Sequence, residues 1–315
     1  MKQRRLKGAL QGLIIAFASV MTLSSCDKND DNPPVSNTIA DVVINSNDFS
    51  TLEAAVVKAE LATTLSSTGP FTVFAPNDNA FVTAGINSAA LSALTKDEVS
   101  EILLYHTLPG SIMSSQVPAG PNAEVTAANG DIVYLTKNAN GVFINGVKVT
   151  QADVTASNGV IHVIENVLMP PAGTIVELAQ GDTSFSLLVQ AVLRASQGPT
   201  DISQVLSGAG PYTVFAPTNA AFRAAGFNTA ADIQAADPAT LAGILTYHVI
   251  NARVFSSDLT DGQQPTTVNG GTVTIGLTSG ATIKGNGNAT ASNITKANIV
   301  ATNGVVHVID QILMP

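Results

Sequence analysis

Histidine is the residue type best suited to proton or metal chemistry near neutral pH, and the chain has four, His106, His162, His248 and His307. With a carboxylate, His106 and His162 could form a metal or acid–base site, and His248 with His307 its twin, because imidazole both ligates metals and exchanges protons near pH 7. The surroundings argue for a different role. His162 lies among Ile161, Val163 and Ile164, and His106 closes an apolar run. No third ligand recurs beside both pairs, so each imidazole reads as a buried, hydrogen-bonded core group. The chain contains no G-x-S-x-G, G-x-x-x-x-G-K-[ST] or H-E-x-x-H pattern, and a single cysteine, Cys26. The expectation is a protein that is not an enzyme, with no catalytic residue, no metal and no cofactor.

The histidines recur because the chain carries the same text twice. GPFTVFAPNDNAF (Gly69 to Phe81) returns as GPYTVFAPTNAAF (Gly210 to Phe222), and NGVIHVIENVLMP (Asn158 to Pro170) returns as NGVVHVIDQILMP (Asn303 to Pro315). Between them Tyr105-His106 returns as Tyr247-His248. Order and spacing are kept, which marks a duplicated domain. The offset grows from 136 at Phe49/Phe185 to 141 at Pro76/Pro217, 142 at His106/His248 and 145 at His162/His307. The first insertion is expected around SQGPTDISQ, where Gly198-Pro199 marks a loop. A residue present in both copies is explained by the fold; one present in a single copy needs another reason.

Each copy opens with helix signals. Ser50-x-x-Glu53 has the capping-box pattern ahead of Leu52, Ala55, Val56 and Ala59, and the second copy uses Thr183 or Ser184 ahead of Phe185, Leu188, Val189 and Val192. A β-prone run then stops at Pro76 or Pro217, with Asn77 or Thr218 placed to cap the next helix. The helix ending in the Tyr-His pair starts at a Thr95/Glu98 capping box in one copy and at Asp237-Pro238 in the other. Beyond it, Asn-Gly pairs at 129, 140, 145 and 158, and at 269, 286 and 303, predict tight turns between short strands. VIHVI and VVHVI are apolar enough to be central strands buried on both faces. The fold class is α+β, helices first and then a mainly antiparallel sheet.

TVFAP(N/T)xxAF, the Tyr-His pair and NGVxHVIxxxLMP, in this order in both copies, resemble the fasciclin (FAS1) domain family across nearly all of residues 38–315. The resemblance implies tandem domains, 38–170 and 174–315 around a short linker at 171–173, each a β wedge with helices packed around it. It also implies a secreted or cell-surface protein engaged in adhesion or matrix interaction without catalysis. In the family an Asp followed by an aliphatic residue just before the NGV segment is associated with integrin binding. The matching pair here is Asp153-Val154, and the second copy has Asn298-Ile299, so the carboxylate occurs once. Tyr105-His106 and Tyr247-His248 match the family's Tyr-His adhesion motif, although their place at an apolar helix end suits a core role. Asp153 equally suits a turn or strand end.

The chain ends bound where such a protein would act. Lys2, Arg4, Arg5 and Lys7 precede an apolar run, Ala9 to Leu23, too short and interrupted to span a bilayer, so residues 1–25 are expected to be a secretory signal. Leu23-Ser24-Ser25-Cys26 resembles the bacterial lipobox, which makes Cys26 the expected lipidation site and accounts for an exported chain without disulfides. Residues 26–37 read as a polar, proline-broken tether. The acidic run after Cys26 resembles the surface-export signal of Bacteroidetes lipoproteins. The same run equally suits a solvated linker, so localisation is expected in the cell envelope, lipid-anchored, with the outer membrane and surface exposure as the reading the export signal implies. Without the four basic residues of the signal, 10 basic face 23 acidic side chains, a formal net charge of −13. That balance excludes nucleic acid as a partner. The partners left are an extracellular protein, matrix or polysaccharide, besides the membrane that holds the anchor. A glycan-binding accessory role is the alternative, disfavoured by the absence of Trp and the presence of only four Tyr, of which Tyr134 is the one outside the repeated motifs and is accounted for by a cross-strand position. A structural spacer is the other alternative.

Overall fold

The computed structural model describes residues 37–199 and 201–315, and among these Asn37–Pro315 form one compact unit. The signal, Cys26 and most of the tether lie outside the described residues. Each repeat begins with a helix pair and a short third helix: α1 (Ile39–Ile44), α2 (Ser50–Lys58) and α3 (Ala62–Leu65) in the first. After strand β1 (Phe71–Pro76) come α4 (Asp78–Thr83), α5 (Ser88–Ala93) and α6 (Lys96–Tyr105), then β2 (Thr107–Pro109), β3 (Gly120–Thr126), β4 (Ile132–Asn138), β5 (Gly141–Ile144), β6 (Val147–Ala156) and β7 (Gly159–Ile164). The second repeat runs α7 (Ile175–Gly181), α8 (Ser186–Ala195), α9 (Ile202–Leu206), β8 (Tyr212–Pro217), α10 (Asn219–Ala224), α11 (Ala230–Ala235), α12 (Pro238–Tyr247), β9 (Val249–Ile250), β10 (Val273–Gly276), β11 (Thr282–Gly285), β12 (Ser292–Ala301) and β13 (Gly304–Ile309).

The sheet orders are β2-β1-β7-β6-β5-β4-β3 and β10-β11-β12-β13-β8-β9. Pairing between these strands is antiparallel except one strand in from an edge of each sheet, where β1 runs parallel to β7 and β8 to β13. Those parallel pairs join the two repeated phrases: Phe74 sits opposite His162, and Phe215 opposite His307. A strand with no solvent on either side needs apolar residues throughout, and every residue of β13 is buried. One face of the central strands packs on the helices, with Ile161 and Val163 against Leu52, Val56, Phe81 and Leu103. The other face packs Phe74, Tyr105, Leu108, Val133, Leu135, Ile144 and Ile164 under the curled remainder of the sheet. The second repeat has the same two cores.

Local chemistry sets the helix starts. Thr95 with Glu98 forms the expected capping box, Asn77 and Thr218 cap their helices through Ala80 N and Ala221 N, and Asp237 accepts Thr240 N ahead of Pro238. Two further capping boxes open the repeats, Thr38 with Asp41 and Thr174 with Glu177. The Ser50/Glu53 expectation fails. Helix α2 begins one residue after Phe49 with no side-chain cap of its own. Its free end is met instead by Asp78, whose carboxylate accepts Thr51 N at 2.8 Å and the Ser50 hydroxyl at 2.7 Å. In the second copy Asn219 does the same for Leu187 N at 2.9 Å, and Asp182, rather than Thr183 or Ser184, caps the preceding turn. Pro76 and Pro217 end their strands as expected.

Candidate functional site

The histidines divide into two kinds, and each kind is repeated. His106 closes α6 with Nδ1 2.7 Å from Ile102 O, and its Nε2 accepts Leu168 N at 2.9 Å. His248 repeats this with Ile244 O at 2.8 Å and Leu313 N at 2.8 Å. The partners fix the tautomer: Nδ1 carries the proton and Nε2 is the acceptor. Burial pulls both imidazoles down to about 4, so they are neutral at pH 7. The strand histidines have the opposite tautomer. His162 Nε2 donates to Ile112 O at 2.8 Å while Nδ1 accepts Asp153 N at 3.2 Å. His307 does so with Val254 O at 2.9 Å and Asn298 N at 3.4 Å. Their rings lie against Phe74 and Phe215, with centroids 5.2 and 5.4 Å apart. Every ring nitrogen is engaged by backbone, and among the described residues no group of three His, Cys, Asp or Glu could hold a metal.

The Tyr-His pairs are enclosed. Tyr105 and Tyr247 are fully buried, and His106 and His248 are 2% exposed. The Tyr105 hydroxyl donates to Ile132 O at 3.2 Å and accepts from Asn145 Nδ2 at 2.9 Å; burial pushes the phenol up. Asn145 stands at φ 49° in the Asn-Gly turn between β5 and β6, and its Oδ1 accepts Tyr134 N at 2.8 Å. The expectation of a surface adhesion role for Tyr105, His106, Tyr247 and His248 is therefore corrected: a partner of the folded repeats meets none of them.

Asp153 is half-exposed and occupies a bulge in β6, where the register with β7 shifts between Gln151 and Val154. Its φ of 61° is left-handed, and Asn298 in the equivalent bulge of β12 has φ 64°. Asp and Asn are the side-chain-bearing residues that tolerate this conformation best, which explains the exchange between copies. Both also hold the loop after β2 or β9. Asp153 accepts Ser114 N at 2.7 Å and the Ser114 hydroxyl at 2.5 Å. Asn298 accepts Ser256 N at 2.8 Å and donates to the Ser256 hydroxyl at 2.7 Å. Desolvation pushes the Asp153 carboxyl up, but the bonds from Ser114 outweigh it and hold the group below the usual carboxylate range. Val154 turns the other way and packs against the helix-side core, so the pair presents a carboxylate without its aliphatic neighbour.

Tyr134 lies outside the repeated motifs. It sits opposite Glu124 across β3 and β4, as a cross-strand residue should, yet only 6% of it is exposed because the second repeat covers it. The Arg253 guanidinium lies 4.2 Å above its ring, and the Phe255 ring is 5.7 Å away. Val300 and Val305 complete this cluster. Around it Asn122 donates to Arg253 O at 2.9 Å and Asp258 Oδ2 at 3.2 Å, Thr136 to Asp258 Oδ1 at 3.3 Å, and Asn138 to Ser257 O at 2.9 Å. Arg253 is tied down by Gly304 O at 2.8 Å. A Cβ on Gly146, which has φ 76°, would stand 2.6 Å from Asn298 Nδ2.

The Fasciclin domain profile matches residues 47–170 and again 184–315. The chain belongs to the fasciclin domain family. It is 44% identical over 136 residues to "Protein sll1483" of Synechocystis, covering 42% of this chain and 74% of that one. It is 29% identical to the pig transforming growth factor-beta-induced protein ig-h3, covering 78% of this chain and 35% of that protein. It is 28% identical to human periostin, covering 82% and 30% respectively. The match thus spans about a third of these animal proteins. The FAS1 domain pair of the insect cell adhesion molecule Fasciclin I aligns with a TM-score of 0.42 and 19% identity, over 84% of this chain and 96% of that one.

Aligning the two fasciclin repeats identifies what sequence reasoning missed. With His106 on His248, Arg253, Phe255 and Asp258 fall on Ser111, Met113 and Gln116. With Asn129 on Asn269, Tyr134 falls on Thr274. Among the side chains that clamp one fasciclin repeat to the other, Tyr134, Arg253, Phe255 and Asp258 occur in one copy only. The signal was available in the rule that single-copy residues need a reason beyond the fold; what it lacked was a partner across more than a hundred residues of chain.

Proposed function

We propose that this fasciclin-domain chain is a non-catalytic adhesion or matrix-interaction protein of the cell envelope, held by lipid at Cys26. Its protein-binding face is the one around Asp153 in the first repeat. One observation carries the reading. The loop of residues 253–258 together with Asn298 forms the face of the second repeat that receives the first repeat's strands. The same face of the first repeat, Ser111 to Gln116 with Asp153, is built on the same bonds and has Ser111, Ser115 and Gln116 exposed. A surface that already receives protein within the chain is suited to receiving it from outside. The glycan alternative loses its aromatic platform, since the Tyr134 ring is covered.

The test is a binding assay of residues 27–315 against matrix proteins, host cells and a polysaccharide panel, with Asp153→Asn alongside. Asn is the substitution to use, because Asn298 already fills this backbone position and keeps the fold. Binding to protein or cells that Asp153→Asn abolishes, at an unchanged melting temperature, supports the site. Binding to polysaccharide only, or protein binding indifferent to Asp153→Asn, removes it. Cys26→Ala should release the protein from membranes, and continued retention would refute the anchor.

A further inference from the structure

The two repeats differ in their helix-side cores. In the first, Val43, Leu52, Val56, Leu65, Val73 and Leu103 close over a space of about 60 Å³. The equivalent space in the second is about 450 Å³ and opens between α7, α8 and α9. The matched capping boxes at Thr38 and Thr174 put Val43 in register with Ala179, so a core valine is replaced by alanine at the wall. Ser203 and Leu206 of α9 line the opening, whereas the first repeat fills this side with Leu61. A cavity of this size costs stability when empty and falls in the ~300–1,000 Å³ range of small-molecule sites. It has room for about fifteen non-hydrogen atoms at ~30 Å³ each.

The walls are Ile175, Val176, Phe185, Leu188, Val192 and Val306, with His248 behind them. His248 offers no free nitrogen, since Ile244 O and Leu313 N take both. Glu177, Gln180, Asp182 and Lys296 are the exposed polar residues on the lining and form its rim. Two of the three rim charges are negative, and both are committed to backbone: Glu177 to Thr174 N at 2.7 Å and Asp182 to Ser184 N at 2.8 Å. An apolar chamber behind a net-negative rim repels an anionic head and gives a charged one no partner inside.

We propose that the second fasciclin repeat binds one uncharged, long-chain lipophile, its apolar chain lying between α7, α8 and β13. The binding is separate from the adhesion face around Asp153 and stands or falls without it. Residues 37–315, which form one compact unit, would be titrated with the uncharged fluorophore N-phenylnaphthylamine and the probe then displaced with hexadecanol or hexadecanoate. The expected result is saturable binding at one probe per chain, with hexadecanol the better competitor by about tenfold or more. Ala179→Leu, which restores the bulk that Val43 provides in the first repeat, should weaken probe binding by about tenfold or more without lowering the melting temperature. Val192→Phe should do the same by a second route. No saturable binding, equal affinity in both filled variants, or hexadecanoate competing as well as hexadecanol would each overturn the proposal.

Discussion

Each helix-end histidine is an uncharged spacer with two fixed bonds. Were His106 protonated, its Nε2–H would face Leu168 N–H across a distance now spanned by a hydrogen bond. Burial sets His106 and His248 at about 4 in the folded protein against an ordinary value of 6.5. Between those values the unfolded chain binds a proton at each site and the folded chain does not. Stability therefore falls as pH drops from about 6.5 to about 4 and is fully present above that window, by about 3 kcal/mol per histidine at most. Burial lowers His307 too, which adds in the same direction. Urea unfolding at pH 7, 6, 5 and 4 should show this slope, and changing both His106 and His248 to Gln should flatten it. The placement of these histidines in the core was legible in the sequence because their neighbours are local: apolar residues on both sides, in both copies. Their tautomers were not, because Leu168 and Ile112 come from elsewhere in the chain.

At the scale of elements, a cap can be supplied from outside the helix it caps. The Ser50/Glu53 pattern had the right residues and the wrong geometry, since a turn of 3-10 helix at Asn47–Phe49 leads directly into α2. Asp78, 27 residues along from Thr51, takes over. Asp78→Ala should cost about 1–2 kcal/mol, the usual loss for a helix N-terminal cap, whereas Glu53→Gln should be neutral within about 0.5 kcal/mol. Chemical denaturation of the two variants side by side would check both values. Caps read correctly from sequence, at Thr95, Asn77, Thr218 and Asp237, all have acceptor and donor three residues apart. The β bulges escaped notice for the same reason that Asp78 did: a register shift belongs to two strands, and Asp153 alone does not announce one. The cavity of the second repeat was not legible, because its walls come from α7, α8, α9 and β13 together.

For the whole molecule, the joint between repeats rests on a few side chains. Tyr134→Thr gives the first repeat what the second has at that position, so the repeat itself should remain folded. The joint loses the Arg253 and Phe255 contacts, an expected cost of about 2–4 kcal/mol. Calorimetry should then show two transitions where the unaltered chain shows one, and small-angle scattering should show a longer, more variable particle. A single unchanged transition would mean that the joint is held elsewhere. The sequence made the duplication plain, and its short linker suited domains that meet, but the geometry of the joint was not legible, because three linker residues set no angle and Tyr134 is satisfied, on paper, by its strand neighbours.

The joint is also directional. The first repeat contributes β3 and β4, the second contributes the loop after β9, and no two-fold relation exchanges them. Such a contact uses one face of each repeat and, among the described residues, leaves the complementary face outside the joint, so a further copy of the domain could be appended by the same operation. Arg253, Phe255 and Asp258 on one side and Tyr134 with Asn122, Thr136 and Asn138 on the other are the core of what lengthening it would need to repeat. A joint of this kind is in this sense a grammar, with a rule for adding the next word.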